Sequence, residues 1–152
     1  MDFMVKHYTD TVIHSVDKII RGVKYELKQK IDKLNIGITG EQFIVLDAIA
    51  ANPKVYLQKL SEIIFKDKSN TTRIINLLEK KNLIKREMGR KNNRLVNYLS
   101  VTEYGQKIVD DNMPKIKEFV EEIFSNITNN EVELLHSLSK KVQSDLSKMQ
   151  FT

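Results

Sequence analysis

Ser69, Asn70, Thr72, Arg73 and Asn76 place two hydroxyls, two amides and one guanidinium within a few residues of each other. Hydroxyls and amides both give and accept hydrogen bonds, and a planar guanidinium can grip two acceptors at once. Such a set suits phosphate oxygens and base edges. Lys68 precedes the set, and Arg90, Lys91 and Arg94 follow it. All lie in the stretch Lys66 to Arg94, which carries ten Lys/Arg against three acids, a net +7. The whole chain is only +5, so everything outside the stretch sums to −2. A basic patch on a near-neutral body is the footprint of a phosphate-binding surface. A solvated charged face is the plainer reading of a charge run. The helix, turn and strand signals inside this run favour the phosphate surface.

Those residues need elements to hold them. At 152 residues, with 41% hydrophobic and 30% charged side chains, the chain can bury a core as one soluble domain. Apolar residues at Val5, Tyr8, Val12, Val16, Ile19/Ile20, Val23, Leu27, Ile31 and Leu34 predict a long first helix. It stops at Asn35-Ile36-Gly37 and would be roughly 45 Å long, more than a small core needs. Its surplus apolar stripe calls for a partner. Thr39-Gly40-Glu41-Gln42 is a capping box that opens a second helix, with Phe43, Leu46 and Ile49 inward, ending at Asn52-Pro53. A short third helix is predicted from about Val55 to Phe65, with Leu57, Leu60, Ile63 and Ile64 inward. Asp67 and Ser69 offer N-caps for a fourth, running to about Lys81 over Ile74, Ile75, Leu78 and Leu77.

The period then switches. Leu83–Glu87 and Leu95–Val101 read as strands flanking a basic turn, Gly89-Arg90-Lys91-Asn92-Asn93. Helical spacing returns after Thr102 and runs through Ile108, Val109, Ile116, Phe119/Val120 and Ile123/Phe124, with a kink expected at Pro114. A second capping box, Thr128 to Glu131, opens a last helix carrying Val132, Leu135, Leu138, Val142, Leu146 and Met149.

Three helices followed by a hairpin over residues 39–101 is the order of a winged helix-turn-helix, with the fourth helix as recognition helix. One face of that helix must bury Ile74, Ile75 and Leu78. The other presents the polar set near the helix N-terminus, which itself favours anions. Arg73 can read a guanine bidentately or clamp a phosphate, and both roles stay open. The wing cations Arg90, Lys91 and Arg94 are suited to a minor groove, where arginine is favoured.

The sequence resembles the MarR family of bacterial transcription regulators. The resemblance rests on Thr39–Leu46, Leu60, Lys68–Arg73, Leu78–Arg86 and Val101-Thr102-Glu103-Tyr104-Gly105, in that order and spacing. It implies a homodimer on double-stranded DNA with a pseudopalindromic operator, most commonly a repressor relieved by a small-molecule effector. Residues 1–36 and 103–152 would then be dimerisation helices and 39–101 the DNA-binding lobe. The expected fold is mainly α, a winged helix-turn-helix with a small two-stranded wing. Two departures stand out. Asn82 occupies a position where the family commonly has Gly. The wing has Asn92-Asn93-Arg94 in place of the usual Asp-x-Arg. Counting from Arg86 sets Asn92 and Arg94 on that motif, while counting back from Thr102 sets Asn93 and Leu95 there. A one-residue bulge would absorb the difference. In either register the acid is missing.

Other chemistries find little support. Cysteine is absent, which excludes disulfides, thiolate metal sites and thiol catalysis. His7 and His14 are two helical turns apart, too far to hold one ion by themselves, and His136 stands alone, so no metal or other cofactor is expected. There is no Gly-rich phosphate loop, nucleophile elbow or recognisable carboxylate pair, so an enzyme is not expected. No apolar run approaches the ~20 residues of a membrane span, and the acidic start lacks a signal-peptide layout; a cytoplasmic protein with no membrane partner is the expectation. The competing reading is a helical protein-interaction module whose basic stretch meets an acidic protein surface. A steep salt dependence would mark DNA binding instead.

Overall fold

The computed structural model describes residues 6–64 and 66–150, with the side chain of Gln150 left out. The chain divides into two compact units, Met1–Met113 and Pro114–Thr152, and helix α5 (Glu103–Ile123) runs through the boundary. Among the described residues no helix is long and apolar enough to cross a membrane.

In the first unit, helix α1 spans Val12–Leu34. It starts later than the apolar spacing suggests because Thr11 caps it. The Thr11 hydroxyl accepts from the His14 amide at 3.2 Å and donates to the Tyr8 carbonyl at 2.6 Å, closing a 3-10 turn over Tyr8–Asp10. Val5, the expected start, lies outside the described residues. The helix ends as its sequence predicts: Asn35 takes the left-handed conformation (φ 51°) and Gly37 follows at φ 75°. The Thr39–Gln42 capping box forms with both bonds at 3.2 Å and opens helix α2, Gly40–Ala51. Phe43, Val45, Leu46 and Ile49 are buried.

Val55 and Tyr56 belong not to a helix, as expected, but to a short strand, β1 (Val55–Tyr56). Helix α3 is Leu57–Ile64, and its expected end, Phe65, lies outside the described residues. Of its four expected inward residues Leu60 is buried, Leu57 and Ile64 are half-buried, and Ile63 is exposed. Helix α4 (Lys68–Lys80) buries Ile74, Ile75 and Leu78 and half-buries Leu77. Asn82 follows at φ 59°, a conformation Asn accepts more readily than other non-Gly residues.

Strands β2 (Ile84–Lys91) and β3 (Arg94–Val101) form the hairpin, and β1 pairs with β3, so the sheet order is β1-β3-β2. The wing therefore has three strands rather than two. Its register is unbroken from Ile84↔Val101 to Lys91↔Arg94, so the hairpin holds no bulge. The two-residue turn Asn92-Asn93 has φ of 49° and 61°, the pair of positive angles that a tight hairpin turn matched to strand twist requires. Ile84, Leu99 and Val55 pin the sheet to the core.

Thr102 then starts α5. Its amide donates to the Leu83 carbonyl (3.0 Å), and its hydroxyl donates to the Asn82 carbonyl (2.7 Å) and accepts from the Gly105 amide (2.9 Å). This draws the helix so close that a Cβ on Gly105 would collide with the carbonyl oxygen of Leu83. Pro114 lies inside the helix and withholds the amide that would bond the Asp110 carbonyl.

In the second unit, Thr128 opens helix α6 (Asn129–Gln150). The Glu131 carboxylate accepts from the Thr128 amide at 2.8 Å and from its hydroxyl at 3.0 Å, and the Glu131 amide returns a bond at 3.3 Å. Along α6, Leu134, Leu135, Leu138, Val142, Leu146 and Met149 are exposed, and along α1 so are Val12, Ile13, Val16, Ile19 and Ile20.

Candidate nucleic-acid interface

Helix α4 divides its residues by periodicity. Thr71, Ile74, Ile75 and Leu78 face the core, and Ser69, Arg73, Asn76 and Lys80 make an exposed stripe at steps of four, three and four. Asp67 is the N-cap, its carboxylate accepting from the Asn70 amide at 2.8 Å. Ser69 is thus not a cap but an exposed residue of the first turn, beside Lys68. The Asn70 side-chain carbonyl accepts from an Arg73 Nη at 3.1 Å, which sets the guanidinium on the outward face. Thr72 is turned differently: it is half-buried, and its hydroxyl donates back to the Lys68 carbonyl at 2.7 Å. It lines a cavity of about 40 Å³ with Leu57, Ile75, Arg86, Asn97 and Leu99. Lys80, four residues beyond Asn76, falls on the same outward stripe.

The wing is joined to this helix through Arg86. Its Nε lies 2.8 Å from the Glu79 carboxylate, and an Nη donates to the Asn76 side-chain carbonyl. Asn76 keeps its NH₂ as an outward donor, while its acceptor is taken by the wing. Strand alternation puts Arg86, Met88 and Arg90 on one face of the sheet, opposite Asn97 and Leu95, and Lys91 on the other face with its cross-strand partner Arg94. The three wing cations do not share one surface. Lys91 reaches Tyr56 of β1, donating to its hydroxyl at 2.8 Å and sitting 3.9 Å from the ring centroid.

The basic stretch is also partly spent on partners within the chain. Lys66 pairs with Glu41, Lys81 donates to the Gly37 carbonyl, and Lys85 lies 3.4 Å from Glu87. Outward cations remain at Lys68, Arg73, Lys80, Arg90, Lys91 and Arg94, all exposed. An open cleft of about 430 Å³ lies between α1 and α2, lined by Ile31, Asp32, Asn35, Ile38, Thr39, Gln42 and Lys81 among others.

Tyr56 and the Arg86 link are the parts of this surface that sequence reasoning missed. The β-branched and aromatic pair Val55-Tyr56 after Pro53 was the available signal for a strand. Nothing local marks Lys91 as its partner.

Comparisons with known proteins bear on the fold that carries these residues. The MarR family model matches residues 36–95, from the α1–α2 junction through the wing tip. No curated protein matches the chain. Among solved structures, a MarR protein from Peptoclostridium difficile superposes with a TM-score of 0.79 at 25% identity, covering 96% of each chain. A Listeria monocytogenes protein assigned to the MarR family of transcriptional regulators, complexed with 26mer DNA, gives 0.80 at 25% identity over 91% of each chain. The fold is also that of the S. aureus MepR–DNA complex, with a TM-score of 0.75 at 22% identity over 90% of this chain and 98% of that one. The segment 36–95 is thus similar to the MarR family, and over nearly its whole length the chain has the winged-helix fold of MarR-family transcription regulators.

Proposed function

We propose that the chain is a dimeric repressor that binds a pseudopalindromic operator and is released by a small-molecule effector. The observation that carries the reading is the outward stripe Ser69, Arg73, Asn76 and Lys80 on α4, tied through Arg86 to a wing armed with three cations. Lys68, Ser69, Asn70, Arg73 and Asn76 would meet the major groove, Arg73 by bidentate contact to a guanine or by a phosphate clamp. Arg90, Lys91 and Arg94 would meet backbone or minor groove. Thr72 acts from the second row, holding the first turn of α4 rather than reaching a base.

Exposed apolar stripes on α1 and on α6 support dimerisation, since contiguous exposed apolar surface on a monomer marks an interaction site. A second copy would cover them and set two recognition helices about 34 Å apart along one DNA face. The cleft between α1 and α2 has the size of a small-ligand pocket and is the candidate effector site. An effector there would act only through unequal affinity for the DNA-competent and DNA-incompetent arrangements.

Gel shifts with the region upstream of the chain's own gene, footprinting of the retained fragment and sedimentation of the free protein test the reading. A shift with a two-fold symmetric footprint and a dimer in sedimentation are expected. No retention of any genomic fragment at low salt would end it.

A further inference from the structure

The wing of this chain has no acidic residue from Gly89 to Leu95, yet its tip is held by two tyrosines. Tyr98 lies over Gly89 so closely that a Cβ there would come within 2.5 Å of its ring, and its hydroxyl donates to the Arg90 carbonyl at 3.3 Å. Tyr56 pairs with Tyr98 across the β1–β3 ladder and extends the aromatic surface. Lys91, the last residue of β2 before the turn, lies on that surface: its ammonium is 3.9 Å from the Tyr56 ring centroid and donates to the Tyr56 hydroxyl at 2.8 Å. Both residues lie on the outer part of the sheet, Tyr56 half-buried and Lys91 exposed.

An ammonium has three N–H donors, and the bond to Tyr56 takes one. Two remain for an incoming oxygen. A lysine on a hairpin tip ordinarily loses much rotamer freedom when it docks on a phosphate, and prior seating removes part of that cost. We propose that Tyr56 is a positioning residue for the DNA-binding wing: it seats Lys91 so that the remaining N–H groups face a backbone phosphate. The inference rests on the reading of the wing as a DNA contact. It gives β1 a role beyond completing the sheet, because the strand carries the aromatic ring under the wing cation. Lys91 itself supplies the phosphate contact; Tyr56 acts through it.

Two arms test this with the full chain. In the absence of DNA, the ring current of Tyr56 should displace the Lys91 ε-methylene resonances upfield in the parent and in Tyr56→Phe, but not in Tyr56→Leu. Undisplaced resonances in the parent overturn the seat whatever the DNA result. The second arm titrates parent, Tyr56→Phe, Tyr56→Leu, Lys91→Ala and the double variant Tyr56→Leu/Lys91→Ala against the duplex retained in the gel shift, at one salt concentration. Tyr56→Leu should weaken binding about three- to tenfold, equally on duplexes of different sequence. Tyr56→Phe, which keeps the ring and loses the hydroxyl, should lose less. In the Lys91→Ala background Tyr56→Leu should not weaken binding further. Additive losses overturn the proposal, because Tyr56 would then act apart from Lys91. A parent with displaced resonances that binds no duplex at low salt overturns the DNA-binding reading and the positioning role with it, while leaving the seat as a feature of the fold.

Discussion

Arg73→Ala separates the recognition helix from the wing. In the free protein the guanidinium is exposed and its bond to Asn70, at 3.1 Å, is a surface one, so its loss should cost at most about 0.5 kcal/mol of stability. On DNA the same group is placed, by its bond to Asn70, on the outward stripe near the N-terminal end of α4. A bidentate contact to a base there is worth about 1–3 kcal/mol, a loss of roughly 5- to 150-fold in affinity for each half-site. Fluorescence anisotropy with the natural operator and a set of single base-pair variants, at constant salt, reads both affinity and discrimination. If Arg73 reads a base, the variant protein should lose preference at one position of each half-site while its melting temperature holds. If it clamps a phosphate, affinity should fall uniformly over all duplexes. Unchanged operator affinity in Arg73→Ala, together with loss of all binding in Lys91→Ala, would refute the assignment of reading to the helix and anchoring to the wing.

Three further outcomes follow from the fold. Gly105→Ala should destabilise the first unit by more than ~1 kcal/mol, since its Cβ meets the Leu83 backbone carbonyl and not a flexible side chain; thermal unfolding checks this, and a neutral result contradicts the close approach. Asp47 on α2 has its pKa raised by burial, so the folded state holds this proton more tightly than the unfolded state. Its favourable contribution is present below the unfolded pKa of about 3.9 and is lost as pH rises through the folded value, so Asp47→Asn should raise the melting temperature at pH 7 and not at pH 3. Glu131 has its pKa lowered, first by the Thr128 amide and then by the Thr128 hydroxyl. Its contribution is present above the unfolded pKa and fades as pH falls through the folded one; a carboxyl titration followed by NMR should lie below the ordinary glutamate range and move partway back in Thr128→Ala.

Features written in a few consecutive residues were legible in the sequence. Both capping boxes form because their partners are three residues apart, and Asn35 and Asn82 end their helices in the left-handed conformation that Asn tolerates. The α4 core face followed from spacing alone. Two boundaries misled for opposite reasons. The apolar stripe of α1 continues past Thr11, and only the side-chain cap on His14 reveals the break. Val55-Tyr56 sits next to helix-forming residues, and its strand state is imposed by pairing with Leu99 and Tyr98, far along the chain. The same distance hides how the candidate interface is held together. Arg86 meets Asn76 and Glu79, and Lys91 meets Tyr56, contacts that residue type permits but spacing does not dictate. Asn92-Asn93 settles the register of the wing: two positive φ values close a two-residue turn, and an unbroken ladder leaves no bulge to absorb.

On the proposed reading, α4 and the wing bind DNA through their outward cations. The most direct test is the operator affinity of the parent chain measured from low to moderate salt. With Lys68, Arg90, Lys91 and Arg94 on phosphates in each of two protomers, log affinity should fall against log salt with a slope of roughly −7. Lys68→Ala should make the slope shallower by about one per bound protomer, about two for the proposed dimer. A flat salt dependence, or a slope unchanged when these cations are removed, would contradict the account.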